Sequence, residues 1–487
     1  MKVSISSPAI GSQKGMPLLS QNRQFQWFNN PTYIYSMVPT YAAMLLKDDG
    51  HHVYWDDGIT EELSPGGYMQ RLIKEQPELI AIETKTPVIK THWKIVNDVK
   101  EALPQACVVL MGDHATALPQ ESMENCQVDY VLTGGDYDFL LRNLCRHLSR
   151  GEELEPGIWY RQNGAVRNTG RFELRHDLDG LPFIDRELTK WWLYSEKNGN
   201  YRQLPGTYTM VGRDCWWHKC SFCSWTTMYS NFRVRRPESL LDEIGMLIEK
   251  HAVKEVFDDT GTFPRGAWLE TFCRGMIERG YHKKIRFGCN MRFGSLGQEQ
   301  YNLMRRAGFR YVLFGVESAN QKTLDRIDKG IKVSDIAEGC MMAKKAGLEP
   351  HLTVMVGYPW ETREDALATV DLARGLFRRG YADTLQATIV IPYPGTPLFQ
   401  WCKENGLLST EDWDGYDMRQ PVMKTSLSED DVKDLMQCLY RTFFTPRYMI
   451  RKLTSVRSLN DLMFLWRGVR AVFGHLKDFS ITRRSKR

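Results

Sequence analysis

Apolar runs of strand length alternate with amphipathic helical segments in two separate series, and this alternation restricts the fold more than any other feature of the chain. In the first series Lys2–Ser6, His52–Trp55, Leu79–Glu83, Cys107–Met111 and Tyr130–Leu132 read as strands, with helical patterns at Thr40–Lys47 and His92–Ala102. In the second, Tyr208–Val211, Glu255–Asp259, Arg286–Asn290, Tyr311–Glu317, His351–Gly357 and Leu385–Ile391 read as strands, and Ser239–His251, Gln298–Ala307 and Val333–Ala346 as helices. Apolar strands separated by amphipathic helices call for parallel sheets covered on both faces. The fold class is therefore α/β. A Rossmann-like unit is expected over 1–150 and a partial (β/α)6 barrel of the TIM type over 205–400. Between them, 151–204 reads as a hairpin, Ile158–Glu173 with its turn at Gln162-Asn163-Gly164, followed by a polar linker. Residues 401–487 form a helical C-terminal region with a basic tail.

A chain of 487 residues exceeds one ordinary core and fits this division. Its hydrophobic content of 42% and charged content of 25% are those of a soluble globular protein. No apolar run reaches the ~18–20 residues of a membrane span, and the first twenty residues lack the pattern of a signal peptide. A cytoplasmic location is expected, with contact at the membrane face as the alternative. The net charge of +5 is uneven: from Arg441 to Arg487 twelve Lys and Arg face two acids, so the rest of the chain is mildly acidic.

Ligands of parallel sheets bind at the carboxyl ends of the strands. In the first series those ends are Glu83-Thr84-Lys85-Thr86-Pro87, Gly112-Asp113-His114 and Thr133-Gly134-Gly135-Asp136. Glycines there would let a flat or phosphate-bearing ligand approach the backbone, although ordinary strand-to-helix turns have the same composition. In the second series the ends are the segment from Cys215, Asp258-Asp259-Thr260, Asn290 with Arg292, Glu317-Ser318, Gly357-Tyr358-Pro359 and Pro392-Tyr393-Pro394-Gly395. Tyr358, Trp360 and Tyr393 suggest an apolar pocket.

Eleven cysteines in so long a chain do not make a disulfide framework, and only Cys215, Cys220 and Cys223 cluster. The other eight read as small core residues. Thiolates are soft ligands for Fe–S clusters, zinc or copper(I). A cubane on three cysteines leaves one iron without a protein ligand, because four is the usual number. The competing reading is a tetrahedral zinc on Cys215, His218, Cys220 and Cys223, in a zinc-stabilised binding protein without catalysis. Against it stand the compactness of the loop and the apolar wall of Trp216, Trp217, Phe222 and Trp225, which suits a shielded redox cluster.

Taken as an ordered set, the cysteine loop, Phe257-Asp258-Asp259-Thr260, Phe314-Gly315-Val316-Glu317-Ser318, Lys329-Gly330 and Val356-Gly357-Tyr358-Pro359 resemble the radical S-adenosylmethionine (SAM) superfamily. With the three strand ends of the first series, the chain looks like the branch that carries a cobalamin-binding domain. That branch contains carbon methyltransferases and the anaerobic magnesium-protoporphyrin monomethyl ester cyclase. The resemblance covers about residues 1–400. It implies a [4Fe–4S] cluster on Cys215, Cys220 and Cys223, and SAM held by Asp258, Asp259, Thr260, Asn290, Arg292, Glu317, Gly357 and Tyr358. It implies cobalamin near Thr84, Thr86, Gly112, His114, Gly134 and Gly135. The implied activity is reductive cleavage of SAM and methylation of an unactivated carbon in a small-molecule or lipid-like substrate, with oxidative cyclisation or rearrangement as the alternative. An electron donor such as flavodoxin or ferredoxin is implied as well. Two departures stand out: four residues rather than three separate the first two cysteines, and the Asp-x-His-x-x-Gly motif that gives cobalt a histidine is absent.

The C-terminal region carries Leu459, Leu462, Met463, Trp466, Val469, Phe473 and Leu476 at helical spacing, with Arg467 and Arg470 off that face. One expectation is a helix packed on the barrel by this stripe. The other is an amphipathic contact with anionic membrane. No RNA-binding module is recognisable, and nucleic acid is not an expected partner.

Overall fold

A computed structural model describes residues 1–17, 27–30, 32–196 and 198–479; the basic residues from Arg483 to Arg487 lie outside these. The strands of the first sheet are β1 (Lys2–Ser7), β2 (His52–Asp57), β3 (Leu79–Thr84), β4 (Cys107–Gly112), β5 (Tyr130–Leu132), β6 (Ile158–Gln162) and β7 (Ala165–Asn168). Their order is β2-β1-β3-β4-β5-β6-β7, parallel from β2 to β5 and antiparallel through β6 and β7. Every residue of β3 is buried, as expected of a strand covered by helices on both faces. The helix Tyr137–Arg150 shows how the cover forms: Leu140, Leu141, Leu144 and Cys145 face inward, and Gly151 at φ 74° ends it with a left-handed cap.

The hairpin forms at the expected turn but belongs to this first sheet. It pairs with β5 and so covers an edge that would otherwise stay open. Residues 174–204, which read as polar, are packed rather than loose. Leu178, Ile184, Trp191, Tyr194 and Tyr201 join the main core, and the fully buried Arg186 donates to Thr207 Oγ1 at 2.7 Å and the Tyr208 carbonyl at 2.9 Å. Composition missed this because the apolar residues are spaced without period among charges that find buried partners.

The second sheet runs β8 (Gly206–Thr209), β9 (Glu255–Asp258), β10 (Arg286–Met291), β11 (Phe309–Glu317), β12 (Glu349–Val356) and β13 (Thr384–Ile389), in that order and parallel throughout. The end strands β8 and β13 do not pair, so the sheet is a partial barrel. Phe263, Phe272, Phe287 and Phe309 form an aromatic cluster in its core.

The carboxyl edges of the two sheets face each other. Arg213, just after β8, is buried and donates to Asp136 Oδ1 at 2.9 Å, Asp138 Oδ1 at 2.8 Å and the Gly135 carbonyl at 3.2 Å. Arg233 adds two bonds of 2.7 Å to Asp136. His176 closes the cluster with bonds of 3.0 Å to both Asp136 and Glu155, and its ring stacks on Phe139 at 4.3 Å.

Removing one member of a buried ion cluster leaves the others uncompensated. Arg213→Met is therefore expected to cost about 3–5 kcal/mol, read as a lowered urea midpoint with the two carboxylates stranded. His176 gives a pH-dependent part. Burial alone would depress its pKa, but the hydrogen bonds it donates to Asp136 and Glu155 outweigh it and raise the pKa to about 9. Its stabilisation is complete below the unfolded value of about 6.5 and is lost as pH rises through about 9. Urea midpoints between those limits should fall in the native chain and flatten in His176→Gln.

Candidate active site

The three cysteines lie on the loop that leaves β8, and several contacts fix its path. Gly212 N–H donates to Thr260 Oγ1 at 2.8 Å, Ser221 N–H to the Ile327 carbonyl at 3.0 Å, and Leu398 N–H to the Ser221 carbonyl at 2.8 Å. Trp217 Nε1 donates to the Asp328 carbonyl at 2.7 Å, and its ring fills the space where Gly330, at φ +65°, has no Cβ. At Gly261 a Cβ would lie 2.7 Å from Trp225 and 2.8 Å from the Asp214 carbonyl, so the turn after β9 must be glycine for the loop to pass.

All three cysteines open on one cavity at the barrel mouth. Asn290, Arg292, Glu317, Gly315, Thr262, Lys329 and Gln386 line its polar part, and Met291, Leu313, Met355, Val390, Ile391, Tyr393 and Met418 its apolar part. Cys223 is buried and the other two half-buried. Cys215 Sγ lies 2.9 Å from Thr262 Oγ1. Burial raises the Cys220 pKa, while the Lys329 and Arg292 cations work against that rise. Arg292 also lies over the rings of Trp217 (4.4 Å) and Trp216 (5.4 Å), and Arg265 over Trp216 at 4.2 Å. Three thiols beside buried cations suit an anionic thiolate-bound cluster. The tetrahedral Cys₃His alternative would need His218 as its fourth ligand, and that ring is paired with Asp214.

The positions expected around SAM divide into two groups. Asn290, Arg292 and Glu317 line the cavity. Asn290 Nδ2 donates to the Thr260 carbonyl at 2.9 Å, and Arg292 donates to the Lys329 carbonyl. Glu317 sits at φ +60° beside an irregularity in the β11–β12 pairing and accepts from Lys329 Nζ at 2.6 Å. A Cβ at Gly315 would meet that pair, with Lys329 Nζ 2.6 Å away, so Gly315 is what lets it fold across the strand. A left-handed, buried glutamate is a costly conformation of the kind that concentrates at functional sites.

Asp258, Asp259, Thr260, Gly357 and Tyr358 are buried but do not line the cavity. Asp258 accepts from Thr209 Oγ1 at 2.8 Å and Val211 N–H at 3.0 Å, so its carboxylate splices β8 to β9. Thr260 receives Gly212, as above. Gly357, at φ +91°, donates its N–H to Glu361 Oε2 at 2.8 Å, and Tyr358 stacks on Trp360 at 5.5 Å. Burial raises the pKa of Glu361 to about 7, the backbone bonds from Gly357 and Tyr358 partly opposing it. Lys329 and Thr262 are site residues that the sequence reading left without a role. The Lys329-Gly330 pair was visible as a motif, but nothing local reveals that Lys329 folds back onto Glu317.

At the opposing edge, Thr84 Oγ1 bonds to His92 Nδ1 at 2.8 Å. Thr86 Oγ1 bonds to His114 Nδ1 at 3.1 Å, and His114 Nε2 to Glu121 at 3.1 Å, so both ring nitrogens of His114 are engaged within the protein. The glycines admit protein groups. A Cβ at Gly112 would lie 2.5 Å from the Thr84 carbonyl, one at Gly134 2.5 Å from the Phe172 ring, and one at Gly135 would overlap the Tyr229 ring.

An open parallel barrel with three cysteines on the loop after its first strand is the arrangement that the resemblance to the radical SAM superfamily implies. Residues 210–373 match the Radical SAM superfamily model; that segment is a radical SAM domain, and the chain is an enzyme. It is 28% identical over 418 residues to "Uncharacterized methyltransferase PH0819" of Pyrococcus horikoshii, covering 84% of this chain and 88% of the relative. It is 26% identical over 464 residues to the anaerobic magnesium-protoporphyrin IX monomethyl ester cyclase of Cereibacter sphaeroides, covering 91% and 72%. The fold matches that of the radical SAM methyltransferase TsrM from Kitasatospora setae, a structure with cobalamin and a [4Fe–4S] cluster bound. The TM-score is 0.67 at 14% identity, with 98% of each chain covered.

Chemical reconstitution with iron and sulfide should separate the metal readings. The native chain is expected to take up iron with cluster absorbance and no zinc. A Cys215→Ala, Cys220→Ala, Cys223→Ala triple variant should lose the iron, and retained cluster absorbance in that variant would refute the assignment.

Proposed function

We propose that the chain is a cobalamin-using radical SAM methyltransferase acting on an unactivated carbon of a small-molecule or lipid-like substrate. One observation carries this reading: in a single cavity, three thiols of one loop, the Arg292 cation and the Glu317–Lys329 pair meet an apolar wall, where the edges of the two sheets face each other. Bound there, the cluster and SAM supply reductive sulfonium cleavage and a carbon-centred radical, and cobalamin a transferable methyl group.

The chain's own residues bind, orient and shield. Cys215, Cys220 and Cys223 hold the cluster as thiolates. Arg292 and Lys329 offset its negative charge and offer donors to a carboxylate, while Asn290 and Glu317 offer acceptors to an amino group. Asp258, Asp259, Thr260, Gly357 and Tyr358 act on that cavity by shaping the strand ends. Met291, Leu313, Met355, Ile391 and Tyr393 exclude water and favour an apolar substrate. Thr84, Thr86 and Gly112, with the backbone at Gly134 and Gly135, are the contacts proposed for cobalamin. His114 is not a cobalt ligand in this reading, because its nitrogens already have partners. Flavodoxin or ferredoxin is the proposed electron donor.

Oxidative cyclisation is the second reading, favoured by the match to a cyclase along 91% of this chain. Anaerobic turnover with methyl-labelled SAM and cobalamin distinguishes the two. Methylation predicts 5′-deoxyadenosine and S-adenosylhomocysteine together, with label in the product. 5′-Deoxyadenosine alone, without label transfer, would overturn methylation in favour of cyclisation.

A further inference from the structure

The last two helices turn their apolar sides outward. In Leu459–Asp478 the exposed large apolar residues are Leu459, Leu462, Met463, Trp466, Val469 and Phe473, with Leu459 72% and Trp466 63% exposed. These are the residues of the helical stripe itself. The inward side of the helix carries polar residues beside Phe464 and Leu476. Asp461 pairs with Arg202, Arg467 donates to the Tyr201 carbonyl at 2.7 Å, and Asp478 pairs with Arg419 at 3.4 Å. The preceding helix, Pro446–Thr454, is built the same way. Ile450 and Leu453 are 62% and 65% exposed, whereas Arg451 donates inward to the Phe377 and Ala382 carbonyls and Lys452 pairs with Asp383. Phe444 and Phe473, both exposed, meet with ring centroids 5.7 Å apart, so the turn just before Pro446–Thr454 is continuous with the apolar face of Leu459–Asp478. Helices of soluble domains ordinarily bury the apolar side, and a contiguous exposed patch of this kind marks an interaction surface.

Charge identifies what the surface meets. Between residues 441 and 479 both acids, Asp461 and Asp478, are buried in ion pairs. Arg441, Arg447, Arg457, Arg470 and Lys477 are exposed. An outward face of Trp, Phe and long aliphatics, on a segment whose exposed charges are all cations, is complementary to the acyl and headgroup layers of an anionic bilayer. We propose that these two helices are a docking surface for anionic phospholipid membrane. No described helix is long and apolar enough to cross a membrane, so the contact lies in the interface.

Full-length protein and sedimentation with vesicles test the proposal, using phosphatidylcholine alone and phosphatidylcholine mixed with phosphatidylglycerol. The native chain should sediment with the anionic vesicles and be released by salt. Leu462→Ser with Trp466→Ser, and separately Arg470→Glu with Lys477→Glu, should each lower the bound fraction roughly tenfold. These side chains are exposed, and unchanged circular dichroism and cluster uptake would show that the variants fold. Three results would each overturn the proposal: no sedimentation of the native chain, equal binding by native chain and variants, or a concentration-dependent dimer that covers the patch and leaves vesicles unbound.

Discussion

Arg213 precedes the first cluster cysteine by two residues, and its guanidinium is buried between two carboxylates of the other sheet. The chemistry proposed for this chain requires the mouth of the barrel to be held against the edge of the N-terminal sheet, and this contact joins the two. A buried ion cluster adds little net stability over a well-packed apolar one. Its use is registry: a guanidinium has few geometries that satisfy two carboxylates and a carbonyl at once. The loop that carries the thiols is thereby fixed at its root from both sides, by Asp136 and Asp138 from one sheet and by Asp258 and Thr260 from the other.

Much of this was legible in the sequence. Strand-helix alternation pointed to every parallel strand of both sheets, because buried parallel strands and their covering helices differ so strongly in period; the hairpin was legible from its turn but not its place in the first sheet. The cysteine loop was legible because three thiols so close together have few structural explanations. The acidic strand end shows what composition leaves open: Asp258 and Thr260 tie β8 and its loop, while Asn290, Arg292, Glu317 and Lys329 face the cavity. Gly134 and Gly135 show a similar ambiguity. Glycine signals that something approaches the backbone, and here two aromatic rings of the same chain do so.

The extra residue between Cys215 and Cys220 has a structural account. Asp214 and His218 both adopt left-handed backbone, at φ 75° and 52°, and pair with each other, which takes up the added length in a tight turn. The turn leaves Trp217 seated in the Gly330 notch and Ser221 bonded to Ile327. Loop length therefore changes the path between the thiols without detaching the loop from its supports, and the histidine that made zinc plausible serves as a partner to Asp214.

The C-terminal helices show why a periodic stripe cannot be oriented from sequence. Periodicity reports that one face is apolar, and the usual inference is that this face points inward. Here the opposite face carries Asp461 and Arg467, for which Arg202 and the Tyr201 carbonyl provide buried partners. Arg202 also pairs with Glu349, and Arg310 with Glu255 and Glu349, at the amino-terminal ends of β9, β11 and β12. Arg310 lies under Phe464 of the last helix, 5.7 Å from its ring. That helix thus covers the end of the barrel opposite the thiols. A surface there can hold the enzyme at a boundary, but it cannot pass a lipid directly into the cavity. The apolar wall of the cavity and the apolar face of the helices are consequently two independent features, and the chemistry of the substrate must be read from the first alone.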